Sequence, residues 1–398
     1  MLHDQIIVCF SSIDWDAAWQ IHQEVMSRLA RAGNRVLFVE NTGVRRPALS
    51  DLPRLARRLR HWRSPRAPHD LPPNLRLLSP MIPPFPYSRL ALPIKHALLG
   101  RSLRRHLRDL GMERPSVWVF LPTPVVVRLA TEVDPSLIIY YCADDFASSS
   151  PQAMPIEASE AELLQRADLV FATSSQLAER ARHRNPRVYL MPAGVAFEDF
   201  ERIRLSDTPL SPELQALPRP IVGYIGGVNE RIDTELVVEA ARRLPSFSFA
   251  FVGPIRGGMS ALKRCANVHL LGPRPHDRIP NYIKGFDVAV IPYRLTAFTH
   301  NIYPVKLNEY LAMGVPVVST PLHEVRAFAD EHAGVVAIAA SADEFVAALQ
   351  AAVQADDAAA RSRRVEVARG NSWTSRIARM SEIVEARLAE KPRAGAGV

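Results

Sequence analysis

Residues 292–321, PYRLTAFTHNIYPVKLNEYLAMGVPVVSTP, decide the architecture. Their pattern predicts a helix over 305–313, with Gly314 at the position after a helix end where a left-handed residue is favoured. The apolar run 315–319 that follows has the length and β-branching of a buried strand. Lys306 and Glu309 are three apart, so they share one helix face near its N-terminal end. That end offers free N–H groups and a positive dipole to an anion. A carboxylate there can accept bonds from a ribose diol and a lysine can meet a phosphate. The same two residues can also pair with each other as an i,i+3 ion pair before a core strand.

The helix–strand unit is one of a series. Short apolar runs at 5–10, 35–39, 117–121, 137–141, 168–172 and 188–191 alternate with helical stretches. After Pro218 the series restarts, at 221–225, 248–252, 268–271, 287–291, 315–319 and 335–338. Continuous β-branched runs suit strands buried on both faces of a parallel sheet, and the alternation suits a doubly wound α/β fold. The restart predicts two Rossmann-like domains, 1–200 and 201–372, facing a central cleft. Four prolines within 201–220 mark the expected connection between them. A final helix over 373–390 crosses back to the first domain, and 391–398 read as a disordered tail. Open sheets of this kind bind ligands beyond the carboxyl ends of their strands.

Composition narrows the class. The chain has 398 residues, enough for two or three domains. No run approaches the ~20 apolar residues of a membrane span, and a signal-peptide pattern is not evident. Cys9, Cys142 and Cys265 are far apart and lack metal-ligand spacing, which points to a reducing compartment and away from a disulfide or zinc framework. The net charge is +8, yet residues 45–114 hold 16 Lys/Arg against 4 Asp/Glu, a local +12. The rest of the chain therefore carries −4. Within the basic window, Leu52, Leu55, Leu59 and Trp62 recur at helical spacing, with arginines from Arg54 to Arg66 on the other faces. This predicts a basic amphipathic helix over 52–66 that either docks on an anionic membrane surface or packs its leucines on the sheet with its arginines in water. The stretch 90–110 has the same interleaving of Leu and Arg, and reads as an ordinary domain helix packing its leucines inward. No recognition helix, aromatic RNA-binding strand or zinc module supports nucleic acid as the partner.

Two further stretches could carry chemistry. In IVGYIGGVNERID, residues 221–233, a strand runs into Gly226-Gly227, then a polar loop with Arg231, then a helix from Asp233 or Thr234. Glycines there let backbone N–H groups approach a diphosphate, although a plain tight turn has the same signature. After the strand 137–141 come the adjacent carboxylates Asp144 and Asp145. Like charges side by side cost stability, so a site role and a solvated loop pair are both open. After the first strand, Asp14 and Asp16 either cap the helix expected from Ala17 or contact a substrate.

The 292–321 stretch resembles the donor-binding signature of glycosyltransferase family 4, whose fold is GT-B. The family pattern is a Glu, seven residues, a second Glu, then Ala, a small residue, Gly, any residue, Pro and Val. Glu309 matches the second Glu, and EYLAMGVPVVSTP matches the rest. Asn301 stands where the first Glu belongs, which is a departure. The Pro-Val-Lys-Leu-x-Glu-Tyr variant is similar to a subgroup found in bacterial surface-polysaccharide synthesis.

The resemblance implies a retaining glycosyltransferase moving a sugar from a nucleoside diphosphate donor to a lipid-linked bacterial surface glycan, without metal or other cofactor. It would lie in the cytoplasm, peripherally on the inner face of the cytoplasmic membrane. The resemblance places Gly226, Gly227, Arg231, Gly253, Pro254, Asn301, Lys306 and Glu309 on the donor side. Asp144 and Asp145 would then be catalytic, and Asp14 and Asp16 would face the acceptor. In the family an Arg and a Lys follow the strand before the glycine turn; Gly227 takes the place of that Arg, leaving Arg231 as the nearby cation. Two alternatives share the fold: a nucleotide-sugar epimerase, and a non-catalytic scaffold of a glycan-assembly complex.

Overall fold

The computed structural model describes residues 1–17, 19–42, 71–80, 82–83, 87–88, 90–149 and 153–391. The predicted docking helix over 52–66 and the tail 392–398 lie outside them. The chain forms two compact units, one from Met1–Pro192 with Ile377–Val398 and one from Ala193–Arg376.

Unit 1 holds seven strands: β1 (Ile6–Phe10), β2 (Arg35–Val39), β3 (Leu75–Leu78), β4 (Ser116–Val119), β5 (Leu137–Cys142), β6 (Leu169–Ala172) and β7 (Val188–Leu190). They pair in parallel in the order β3-β2-β1-β4-β5-β6-β7. Unit 2 holds β8 (Ile221–Ile225), β9 (Ser248–Val252), β10 (Val268–Gly272), β11 (Val288–Ile291), β12 (Val317–Ser319) and β13 (Val336–Ile338), in the parallel order β10-β9-β8-β11-β12-β13. Central strands such as β5 and β8 are buried along their whole length. That burial explains why they read as continuous apolar runs rather than alternating ones.

Both sheets have the same wiring. The chain builds outward from β1 to β3, returns to the far side of β1, and builds outward again; β8, β9, β10 and then β11 repeat the move. The point where the order reverses lies between β1 and β4 in unit 1, and between β8 and β11 in unit 2. Loops leaving the carboxyl ends of two such strands diverge to opposite faces and leave a crevice there.

Three stretches differ from their sequence reading, and the final helix keeps the bounds expected of it. β3 is an additional strand: four residues at the sheet edge, set among the prolines of the basic window. The first helix spans Ile21–Arg31 and starts at Gln20, whose N–H donates to Gln23 Oε1 at 2.8 Å, so neither Asp14 nor Asp16 caps it. The stretch 201–220 contains the end of the helix Phe197–Leu205 and the turn Pro212–Gln215; Phe197, Phe200 and Leu214 are buried in the core of unit 2. The final helix, Trp373–Glu390, brings Arg387 and the following Lys391 to Asp168 at 3.3 and 2.8 Å, just before β6.

Candidate functional site

The crossing of unit 2 gathers most of the predicted donor residues. β8 ends at Ile225, whose N–H donates to Tyr310 Oη at 2.8 Å, and the chain turns at Gly226. Gly226 has φ +123° and Gly253, ending β9, has φ +152°. A Cβ on Gly253 would sit 2.0 Å from the Gly226 carbonyl oxygen, so only glycine allows these two turns to lie against each other. The turns are laced: Gly226 N–H donates to Val252 O, Val228 N–H to Pro254 O, and Gly253 N–H to Gly272 O, all at 2.9 Å. Between the two bonded amides, the N–H of Gly227 has no backbone acceptor among the described residues. On its other side the loop is tied to the segment after β11, by Asp233 N–H to Pro292 O at 2.8 Å and Arg294 N–H to Arg231 O at 2.7 Å. Asp233 also caps the helix Thr234–Arg243, accepting from Leu236 N–H at 3.2 Å.

Lys306 enters this frame from the helix Lys306–Ala312. A Cβ on Gly226 would be 3.4 Å from Lys306 Nζ, so the ammonium lies over the glycine turn. It donates to Tyr293 Oη and sits 5.0 Å from the ring centre of Tyr224 and 4.7 Å from that of Tyr293. Tyr224 in turn donates to Gly227 O at 2.9 Å. Burial raises the Tyr224 phenol well above its usual range. Burial pushes Tyr293 the same way, but the neighbouring Lys306 charge and hydrogen bond outweigh it and hold that phenol below its ordinary value. Arg231 is built alike: its guanidinium lies 4.9 Å from the ring centre of Phe298. Among the described residues neither Lys306 nor Arg231 is ion-paired to a carboxylate, so the i,i+3 pair with Glu309 does not form.

Glu309 lies one turn on from Lys306. Its carboxyl is raised above the usual carboxylate value, first by burial, with His276 and Lys306 pulling the other way. Asn301 ends the short helix Ala297–His300 that also carries Phe298. Pro254 is exposed on the β9 loop. The sequence reading did not single out Tyr224, Tyr293, Phe298 or His276. The available signal was a tyrosine at the carboxyl end of each strand flanking the reversal.

The crossing of unit 1 has other contents. Ser12, after β1, shares a 2.8 Å hydrogen bond with His22 Nε2, and the His22 ring packs on Phe120 at 4.4 Å between centres. Burial lowers His22 to about 3, so the imidazole is neutral, and its Nδ1 has no hydrogen-bond partner among the described residues. Trp15 N–H and the Ser79 hydroxyl donate to Glu40. Thr42 and Thr123 share a hydroxyl contact at 3.3 Å, and the fully buried Lys95 donates to Thr42 O at 3.3 Å. Burial lowers the Lys95 ammonium to about 8. Asp14 is buried and Asp16 exposed.

The two predicted catalytic carboxylates are separated. Asp144 is exposed, whereas Asp145 is 7% exposed, pairs with Arg180 at 3.0 Å and accepts from the Ser148 hydroxyl at 2.8 Å. Burial would raise the Asp145 carboxyl, but Arg180 and Ser148 keep it below its usual value. A carboxylate so committed holds its loop and is poorly placed to take a proton. The two acids of the predicted pair therefore differ in exposure, Asp145 being the one paired with Arg180.

Similarity to known proteins accords with the geometry. Over 97% of this chain and 100% of theirs, the coordinates match a sucrose-phosphate synthase from Thermosynechococcus elongatus with a TM-score of 0.69 at 18% identity. The fold is GT-B. This GT-B chain also matches Anabaena Alr3699/HepE in complex with UDP over 96% of its length and 100% of that chain (TM-score 0.65, 13% identity). WaaG, a glycosyltransferase involved in lipopolysaccharide biosynthesis, matches over 95% and 99% (TM-score 0.61, 13% identity). Residues 219–355 match the family described as Glycosyl transferases group 1. In sequence, 202 residues are 30% identical to the "Putative teichuronic acid biosynthesis glycosyltransferase TuaH" of Bacillus subtilis (strain 168). That match takes in 46% of this chain and spans half the length of its relative. Together these matches show the GT-B fold for the chain and tie residues 219–355 to the family described as Glycosyl transferases group 1.

Proposed function

We propose that this chain transfers a sugar, with retention, from a nucleoside diphosphate donor to a lipid-linked bacterial surface glycan at the inner face of the cytoplasmic membrane. One observation carries the donor side: Lys306 lies over the Gly226-Gly227 turn at the strand reversal, held by aromatic rings and a phenol instead of a counter-carboxylate. A cation so held keeps its charge for a ligand. Lys306, Arg231 and the Gly227 N–H would take the charge that develops on the departing diphosphate, electrostatic work that needs no reorganisation at the moment of reaction. Glu309 would accept from sugar or ribose hydroxyls. Gly253, Pro254 and Asn301 would border the nucleotide.

On the acceptor side, Asp144 and Asp16 are the exposed carboxylates of the two predicted loops. Asp14 and Asp145 would shape those loops from beneath. The surface-glycan acceptor is supported by the printed descriptions of TuaH and WaaG, and the nucleotide by the complex of HepE with UDP.

Calorimetry with UDP, GDP and ADP tests the donor reading. One of them binds, and Glu309→Ala weakens the matching sugar nucleotide at least tenfold, about the value of a hydrogen bond to a charged group. If no nucleoside diphosphate binds, the proposal fails. The anomeric configuration of the product, read by NMR, checks retention; an inverted product removes it.

A further inference from the structure

The helix Ala91–Asp109 of unit 1 has two faces. Leu99, Leu103 and Leu107 are buried in the core. The opposite face, from the capping Leu90 onward, presents Leu90, Ile94 and Leu98, then Arg101, Arg105 and Arg108, at spacings of three and four. Leu90, Ile94 and Leu98 are 87%, 54% and 44% exposed, and no other described helix face carries more than one exposed large apolar residue. Such residues in a contiguous exposed row mark a surface that something covers.

The charge around them is one-sided. No Asp or Glu occurs between Leu71 and Arg108. Arg105 reaches Asp109 at 3.5 Å with both side chains mostly in water, and Arg101 and Arg108 have no carboxylate partner among the described residues. The face therefore combines an apolar row with a row of cations. Phosphate backbones would leave the apolar row unused. A protein interface of this kind is usually anchored by aromatic residues, and none stands on this face. A bilayer with anionic headgroups satisfies both rows: aliphatic side chains enter the acyl boundary while arginines stay with the phosphates.

We infer that this face docks on an anionic lipid bilayer. It is a different segment from 52–66, and it rests on the proposed function only for its purpose, bringing unit 1 to a membrane-borne acceptor. Each cation near an anionic surface is worth about fivefold in partitioning.

The test is sedimentation of the full chain with vesicles of phosphatidylcholine alone or with 30% phosphatidylglycerol, roughly the anionic share that gives a strong surface potential. Binding should require phosphatidylglycerol. Arg101→Gln/Arg105→Gln/Arg108→Gln should weaken it about a hundredfold, and Leu90→Ser/Ile94→Ser/Leu98→Ser at least tenfold. A control with the same charge change, Arg202→Gln/Arg242→Gln/Arg379→Gln, should lose less than about threefold. All nine positions are exposed, so circular dichroism should show every variant folded.

The inference is overturned by absence of vesicle binding, by equal binding to both vesicle types, or by equal loss in the control. It is also overturned if only Arg57→Gln/Arg58→Gln/Arg60→Gln abolishes binding, or if gel filtration shows that the Leu/Ile variant merely dissociates a dimer. Nucleoside diphosphate binding, measured without vesicles, reports separately on the glycosyltransferase reading.

Discussion

The two units share one strand order, yet their crossings differ in what they do with charge. In unit 2, two glycine turns are laced together, and two cations rest on aromatic rings with no carboxylate paired to them among the described residues. In unit 1, the equivalent place holds a neutral imidazole, paired hydroxyls and a lysine wholly out of water. Topology alone thus makes a crevice and does not decide its ligand. The residues at the strand ends differ: one crossing presents cations resting on rings, and the other presents hydrogen-bonded hydroxyls and a neutral imidazole.

The sharpest way to break the unit 2 crossing is Gly253→Ala. Its Cβ would meet the Gly226 carbonyl at 2.0 Å, so urea denaturation should show a loss on the order of 3 kcal/mol and diphosphate binding should vanish. Gly257 also has a positive φ, +78°, but nothing lies within 4 Å of its Cβ position. Gly257→Ala should cost only about 1 kcal/mol and leave binding intact.

The two lysines give the next contrast. Lys306→Met should weaken binding of inorganic diphosphate or UDP tenfold to a hundredfold, roughly one charged hydrogen bond. Lys95→Met should leave binding alone and stabilise the protein, because it removes a buried ammonium with no counter-ion among the described residues. Lys95 also predicts a pH dependence. Folded, it releases its proton near 8; unfolded, near 10.5. Between those values the unfolded chain binds more protons, so this group makes stability rise with pH across that window. Denaturation curves of Lys95→Met should lack that rise.

Smaller effects sharpen the comparison from each side. Ser12→Ala leaves both ring nitrogens of His22 without a partner among the described residues, and should cost about 1–2 kcal/mol with no change in diphosphate affinity. Tyr293→Phe keeps the ring under Lys306 and removes the phenol, so diphosphate affinity should fall only about fivefold, with thermal stability nearly unchanged.

The sheet class and the repetition of the fold were readable because both-face burial leaves long β-branched runs, and because the series visibly restarts after Pro218. β3 escaped since a four-residue edge strand among prolines has too short a pattern to recognise. At the site, Lys306 and Glu309 were readable from local helix spacing. Tyr224 and Tyr293 were not: a tyrosine near the end of an apolar run reads as core. Only the pairing of β8 with β11 brings residues 69 apart in sequence to one ammonium. The ion pair of Asp145 with Arg180 was not readable, because the two residues lie a helix apart in the sequence.

Unit 1 is made from both sides of unit 2 in the chain, and this bears on how the molecule is synthesised. When a ribosome has finished β7, Asp168 still lacks Arg387 and Lys391, and the apolar face of Ile377, Met380 and Val384 does not yet exist. All of Ala193–Arg376 must be translated first, roughly ten to forty seconds at common elongation rates. During that interval the nascent first domain waits incomplete while the second can fold as one uninterrupted stretch. The unit that starts earliest closes later, and its last helix acts as a seal applied after the rest of the chain is in place.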